Sequence, residues 1–348
     1  MASPVSNIDW DEHRHLLDHW FVSPEFFEWK SSQNSVGPGY VHVELQHGQV
    51  VGTCCVSELD VLVGGEPARA AQIGDAFTHP DFRRQGVYSR CVRACTTHCL
   101  EHDIDVIYGT PNDQSLRARQ NLDYPIARGA DVRQLVKVLD PQLLSGRLAE
   151  GRLHLPRPFR DVAALAAQRI AFRPVDRSAG AGIEVRVLED AQPLTGDGLW
   201  GKRRTDFAFF ARRTSDFVRW RFFRNPMAYR VLAAFDQGSC VGYAAVVIDH
   251  DHRGANLVDI VAQGDERVIH NRLLAAVEDD LRETGIGLIR ALCSSASPYY
   301  RLLRDAGFAR RRGDVVVIIS ASTRLAPRLL AAREPWHFML SDTDGPTS

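Results

Sequence analysis

Residues 73–100 run IGDAFTHPDFRRQGVYSRCVRACTTHCL. The opening reads as a strand that stops at Thr78-His79-Pro80. From Gly86 onward Val87, Cys91, Ala94, Cys95 and Cys99 recur at helical spacing. A turn that feeds straight into a helix aims several unpaired backbone N–H groups at one point, where the helix dipole favours an anion. Gly86 lets a ligand approach the backbone closely, and Arg83 and Arg84 add positive charge. This arrangement suits a diphosphate. Arg-x-x-Gly alone is weak evidence, because the pattern recurs. RSAGAG at 177–182 spells Arg-x-x-Gly-x-Gly in full, and Arg310 and Gly313 give the shorter form. Neither lies between a strand and a long helix, and only 83–88 does.

The chain also repeats itself. FFEWKSSQN (26–34) returns as FVRWRFFRN (217–225), so Phe26, Trp29 and Asn34 correspond to Phe217, Trp220 and Asn225. A basic residue follows each Trp, Lys30 and Arg221. Tyr40 and Tyr229 then open hairpins that turn near Gly48 and Gly238. IGDAF and LVDIV place Asp75 opposite Asp259. Each half goes on through a helix (86–102 and 267–284), a strand, a second helix and a last strand. The pattern predicts an α+β module used twice, with domains at 1–140 and 183–330, a helical connector at 141–182 and a C-terminal tail at 331–348.

The 83–88 segment, in this context, resembles the acetyl-CoA-binding motif of the GNAT N-acetyltransferase superfamily. The repeat makes the whole chain resemble tandem GNAT N-acyltransferases that act on amino sugars, either nucleotide-linked or on teicoplanin-like glycopeptides. The stretch Trp220–Pro226 and the ending from Trp336 to Asp344 resemble segments of the polysaccharide-pathway members. The resemblance implies two GNAT-like modules, each a mixed, mostly antiparallel sheet flanked by helices. It implies acetyl-CoA or a longer acyl-CoA as co-substrate. Backbone groups of Phe77 and Thr78 would pair with the pantetheine. Arg83, Arg84, Gln85, Gly86, Val87, Tyr88 and Ser89 would hold the pyrophosphate, and Asn112 would touch the cofactor's arm. Tyr88 departs from the motif, which has Gly or Ala there. The second half has AQGDER (262–267) in place of the loop; its acids would oppose a diphosphate, so the second module reads as degenerate and as shaping the acceptor cleft.

N-acylation needs a neutral amine, a donor for the developing oxyanion and a route for the proton. Asp75 is the first choice for base, since it shares a strand face with Phe77 and His79. It reads equally as a carboxylate holding a neighbouring cation. His79 suits a base by its chemistry and a turn by its place before Pro80. Tyr124 is a candidate general acid or a packed aromatic. His15 and His19, and Asp249 to His252, have metal-like spacing but read as a helix surface and a polar turn, so no metal is expected. Phe207, Phe209, Phe210 and Phe217 could line a cleft or fill the core.

The net charge of −1 argues against a nucleic-acid or membrane-surface binder. No apolar run reaches the length of a membrane span, and MASPVSNIDWDEHRH lacks the features of a signal peptide. Seven cysteines without a CxxC pair read as reduced thiols of a cytoplasmic protein. The resulting expectation is an acyl-CoA-dependent N-acyltransferase, monomer or homodimer, with a small amine acceptor. The alternatives are an N-acetyltransferase for an aminoglycoside, polyamine or protein amine, and a CoA-binding module without turnover.

Overall fold

The computed structural model describes residues 23–140, 175–178, 180, 182–194, 206–249, 253–263 and 266–343. His15 and His19, the connector helices expected within 141–174, and His250 to His252 of the expected polar turn lie outside these.

The first half contributes α1 (Pro24–Ser32), β1 (Tyr40–Gln46), β2 (Gln49–Val63), β3 (Glu66–Thr78), α2 (Val87–Glu101), β4 (Val106–Gly109), α3 (Asp113–Gln120) and β5 (Ile126–Val138). The second contributes β6 (Glu184–Leu188), β7 (Phe209–Ala211), α4 (Ser215–Val218) running into a π-helical turn (Arg219–Phe223), β8 (Tyr229–Asp236), β9 (Ser239–Asp249) and β10 (Gly254–Ala262). It continues with α5 (Glu266–Glu283), β11 (Leu288–Ser294), α6 (Pro298–Asp305), β12 (Ala309–Arg310), β13 (Val315–Ser320) and α7 (Ala326–Ala331). Local chemistry sets these elements. Ser23 Oγ accepts from Phe26 N–H, and Pro24 starts α1. Asn112 and Ser297 cap α3 and α6 in the same way.

The strands form one mixed sheet, ordered β1-β2-β3-β4-β13-β5-β11-β10-β9-β8-β6. β3 and β4 are parallel, as are β10 and β11, while the other neighbours are antiparallel. At the centre the last strand of each half crosses over. β13 pairs with β4, β5 pairs with β11, and the two crossing strands pair with each other from Val315 opposite Val132 to Ser320 opposite Ile126. Tertiary pairing across nearly 200 residues leaves no local trace, so sequence patterning misses this exchange.

Helix α2 packs Val87, Cys91, Val92, Cys95 and Cys99 against Val51, Cys54, Val56, Ala71 and Ile73 on one face of the sheet. These thiols are inert packing groups; burial pushes Cys91 and Cys99 up to about 12. On the other face, Phe26 and Trp29 of α1 join the main core. There Trp29 and Trp220 stack at 4.8 Å, and each indole N–H donates to the other's backbone carbonyl, at 2.9 and 3.2 Å. The two tryptophans aligned in the sequence therefore meet as a reciprocal pair where the halves join.

The core also holds an acid-sensitive group. His270 on α5 is fully buried, neither ring nitrogen has a partner among the described residues, and burial pushes its pKa down to about 3. The folded state keeps it neutral, while the unfolded chain protonates it near its ordinary value of about 6.5. Its contribution to stability is therefore complete above about pH 6.5 and is lost as pH falls towards about 3. Thermal denaturation between pH 7.5 and pH 4.5 is expected to show a falling Tm, and His270→Leu is expected to make that fall shallower. An unchanged slope in the variant would assign the acid lability elsewhere.

Candidate active site

β3 and β4 pair only over Ala70–Gln72 and Val106–Tyr108. Beyond that they diverge, and from Gly74 to Thr78 β3 has a strand neighbour on the β2 side only. A bulge accompanies the divergence. Thr53 faces Phe77 and Cys55 faces Gly74, so Cys54 opposes both Asp75 and Ala76. Asp75 sits at φ 45°, a left-handed conformation that Asp tolerates better than most residues. The bulge turns Asp75 towards α1, where its carboxylate forms an ion pair with buried Lys30. Asp75 is thus a carboxylate that holds a neighbouring cation, and the cation is Lys30.

The loop after β3 is open for an anion. Gly86 occupies the N-cap of α2 at φ 76°, and no side chain caps the helix. Its first-turn N–H groups therefore point outward uncapped. Arg83, Arg84, Gln85 and Gly86 are exposed, Tyr88 and Ser89 half-buried, and Val87 buried. Neither the Arg83 nor the Arg84 side chain has an ion pair or hydrogen bond among the described residues, and Arg84 itself is at φ 63°. Beside the gap, Thr78 Oγ1 is buried without a hydrogen-bond partner among the described residues, and the Phe77 ring packs on Val50. An orphaned hydroxyl beside an open strand edge fits an amide-bearing arm laid along β3.

Tyr88 does not fold back over the loop. Its hydroxyl accepts from Arg119 Nε at 3.3 Å, and Arg119 Nη2 donates to Ile73 O at 3.1 Å. Arg119 thus spans the gap from α3 and marks where the strands part. Nothing in the run DQSLRARQ singled it out. Asn112 spends its side chain on the α3 cap, 2.9 Å from Ser115 N. His79 caps the short turn Pro80–Phe82 through Nδ1, while its ring lies edge-on to Phe77 and Phe82. Tyr124 bonds Thr97 Oγ1 at 3.0 Å and lines a crevice with Val92, Thr96 and Arg119. Lys30 lines a different crevice with Trp29, Asn34, Gln72, Trp220 and Arg221. Asp75 and Tyr124 therefore do not converge on one point.

The corresponding gap of the second half is filled. β10 and β11 pair only to Leu257 and Ala291. Beyond them Tyr299 Oη bonds both N and O of Ala262, Ser294 N donates to Phe338 O at 2.9 Å, and Cys293 bridges Met339. The last residues before 344–348, which lie outside those described, form this plug. Trp336, Phe338, Met339 and Asp342 are buried. Beneath it, Arg213 is fully buried between the Phe210 and Phe217 rings and binds Asp259 at 2.9 Å and Asp342 at 2.6 Å. Burial opposes charge on Asp259, but Arg213 outweighs it and holds the carboxyl below its usual range. Phe207, Phe209, Phe210 and Phe217 are core residues. Arg310 pairs with Asp314 at a hairpin end.

Residues 2–124 match the family of the acetyltransferase (GNAT) domain. No curated protein matches the chain. Among solved structures, the chain is similar to an N-myristoyltransferase from Saccharomyces cerevisiae with bound myristoyl-CoA and inhibitors (TM-score 0.64, 12% identity, 92% of this chain and 79% of that one). It is also similar to a probable N-acyltransferase from Enterococcus faecalis (0.60, 11%, 90% and 70%). A GCN5-related N-acetyltransferase from Anabaena variabilis gives 0.60, 11%, 92% and 72%. At such identities the structures carry the fold: α+β, a mixed central sheet flanked by helices, GNAT-like. With the domain match they support an acyltransferase. No helix among the described residues is long and apolar enough to cross a membrane.

Proposed function

We propose that the protein is a tandem GNAT-type N-acyltransferase that binds one acyl-CoA in its first half and acylates the amine of a small acceptor, an amino sugar in the form we favour. The observation that carries this is the uncapped N-terminus of α2, with Gly86 in the left-handed region and two arginine side chains without partners among the described residues, at the mouth of the β3–β4 gap. The backbone from Arg84 to Ser89 and the Arg83 and Arg84 side chains would hold the pyrophosphate. The pantetheine would run along Phe77 and Thr78. The thioester would then lie near the Asp75 bulge.

The acceptor would approach from the α1 face, over the narrow crevice lined by Trp29, Asn34, Ser57, Gln72 and Trp220. Hydrogen-bonding side chains beside stacked indoles suit a hydroxyl-rich amine. The amine nitrogen attacks the thioester carbonyl, the N–C bond forms, the C–S bond breaks, CoA leaves as its thiolate, and the nitrogen gives up one proton. Asp75, ion-paired to Lys30, would orient the amine and pass the proton to water. The second half, with its gap filled by Tyr299 and the 336–342 segment, would serve as a degenerate copy that supports the acceptor cleft.

Isothermal titration with acetyl-CoA and a longer acyl-CoA tests the first part. One saturable equivalent per chain is expected, and two equivalents would contradict a lapsed second site. A thiol-release assay over amino sugars, aminoglycosides and polyamines then tests the acceptor. Asp75→Asn is expected to lower kcat by about 10²-fold with acyl-CoA affinity intact, within the usual range for a proton-handling group. Binding without release of thiol from any amine would favour a non-catalytic CoA-binding module.

A further inference from the structure

The two halves treat one residue differently. The basic residue after each paired Trp is Lys30 in the first half and Arg221 in the second, and the carboxylates that correspond on β3 and β10 are Asp75 and Asp259. In the first half the two meet as the Lys30–Asp75 ion pair. In the second half Asp259 is taken by Arg213, which enters from the segment before α4. Arg221 is left without a carboxylate partner among the described residues. It is nonetheless buried, at 3% exposure. Its contacts are neutral and long: Nε to Ser341 O at 3.2 Å, Nη2 to Thr343 O at 3.3 Å and Nη1 to the Tyr229 hydroxyl at 3.4 Å. Three of five donors are used. Among the described residues of that segment the acid, Asp342, is committed to Arg213 and to Met339 N–H.

A buried guanidinium whose acceptors among the described residues are all neutral is costly unless an anion completes it. Arg221 lines the same crevice as Lys30, Asn34 and Gln72, and its guanidinium lies over the Trp29 ring at 5.6 Å. We infer that Arg221 is the recognition site for an anionic group, a carboxylate or a phosphate, carried by the amine acceptor. This rests on the acyltransferase reading above and narrows its substrate class to amines that bear a negative charge. A planar fork with two free N–H groups matches two oxygens of either anion.

The test compares glucosamine, glucosamine 6-phosphate and glucosaminic acid as acceptors, with acetyl-CoA as donor. At least one anionic amine is expected to have a KM about tenfold or more below that of the neutral sugar, the equivalent of about 1.4 kcal/mol. Arg221→Gln is expected to abolish that advantage, raising the anionic acceptor's KM about tenfold or more towards that of the neutral sugar; Arg221→Lys should retain part of it. The carboxylate and phosphate arms identify which anion is read. Equal KM values for all three sugars in the wild type, or an advantage that survives Arg221→Gln, would overturn the inference. If no sugar is acylated, thermal shifts with the two anionic sugars decide it. Stabilisation of the wild type but not of Arg221→Gln keeps the anion site and leaves the acyl transfer in question. No stabilisation of the wild type removes the anion site. Retained acyl-CoA binding in the Arg221 variants guards against misfolding.

Discussion

Replacing Gly86 by Glu together with Arg83 by Ala is expected to weaken acyl-CoA binding by at least about 10²-fold, some 2.7 kcal/mol or more, in isothermal titration. Two effects add. A side chain at φ 76° strains the α2 N-cap by about 1 kcal/mol. A carboxylate there also occupies the one place where uncapped N–H groups and the dipole favour an anion, so it competes with the diphosphate. Arg83 contributes the charge. The fold should survive, because Gly86 and Arg83 are exposed and a Cβ at Gly86 would meet only Arg90 Nη1, at 3.3 Å. Circular dichroism and Tm are the controls. Wild-type affinity in the double variant would remove the loop from the binding site.

The largest stability effect is expected at Arg213. Arg213→Met leaves Asp259 and Asp342 buried with no cation between them, a loss of about 3–5 kcal/mol. Denaturant titration should show it as a lower midpoint. Asp259→Asn should be milder, and in that background Arg213→Met should cost less than it does alone. A coupling above about 1 kcal/mol between the two sites confirms that they act as a pair. Additive effects would mean that Arg213 stabilises through its packing on Phe210 and Phe217. Loss of the pair should also loosen the 336–342 segment, visible as faster amide exchange at Phe338 and Met339.

Much of the candidate site's local geometry could be read from residues 73–100 because strand, turn, glycine and helix are local signals. The hairpin turns follow from glycine positions, and α2, α5 and β13 from periodicity within a residue or two, while β2 runs on to Val63, well beyond the VVGTCCV stretch that reads as strand. The role of Arg213 could not be read in that way. It sits in a chain rich in arginine, and only the apolar run FAFF before it hinted at burial. Arg119 had no signal, since its work depends on two strands parting. Lys30 and Arg221 were visible as the basic residue after each Trp, but what separates them is that Lys30 meets a carboxylate and Arg221 meets none among the described residues, and that is settled by tertiary contact. The 336–342 segment looked like a tail because no regular element covers most of it, although its apolar residues are core.

The crossing of β5 and β13 bears on synthesis. Residues 106–109 leave the ribosome roughly 200 residues before 315–320, the strand they must lie beside. Until then the β4 edge is bare, and β5 waits for β11. A nascent chain of the first half exposes unsatisfied strand edges and cannot complete its sheet alone. Folding is thus deferred until residues 315–320 have been made, and its slow step should be their late seating between two strands made long before.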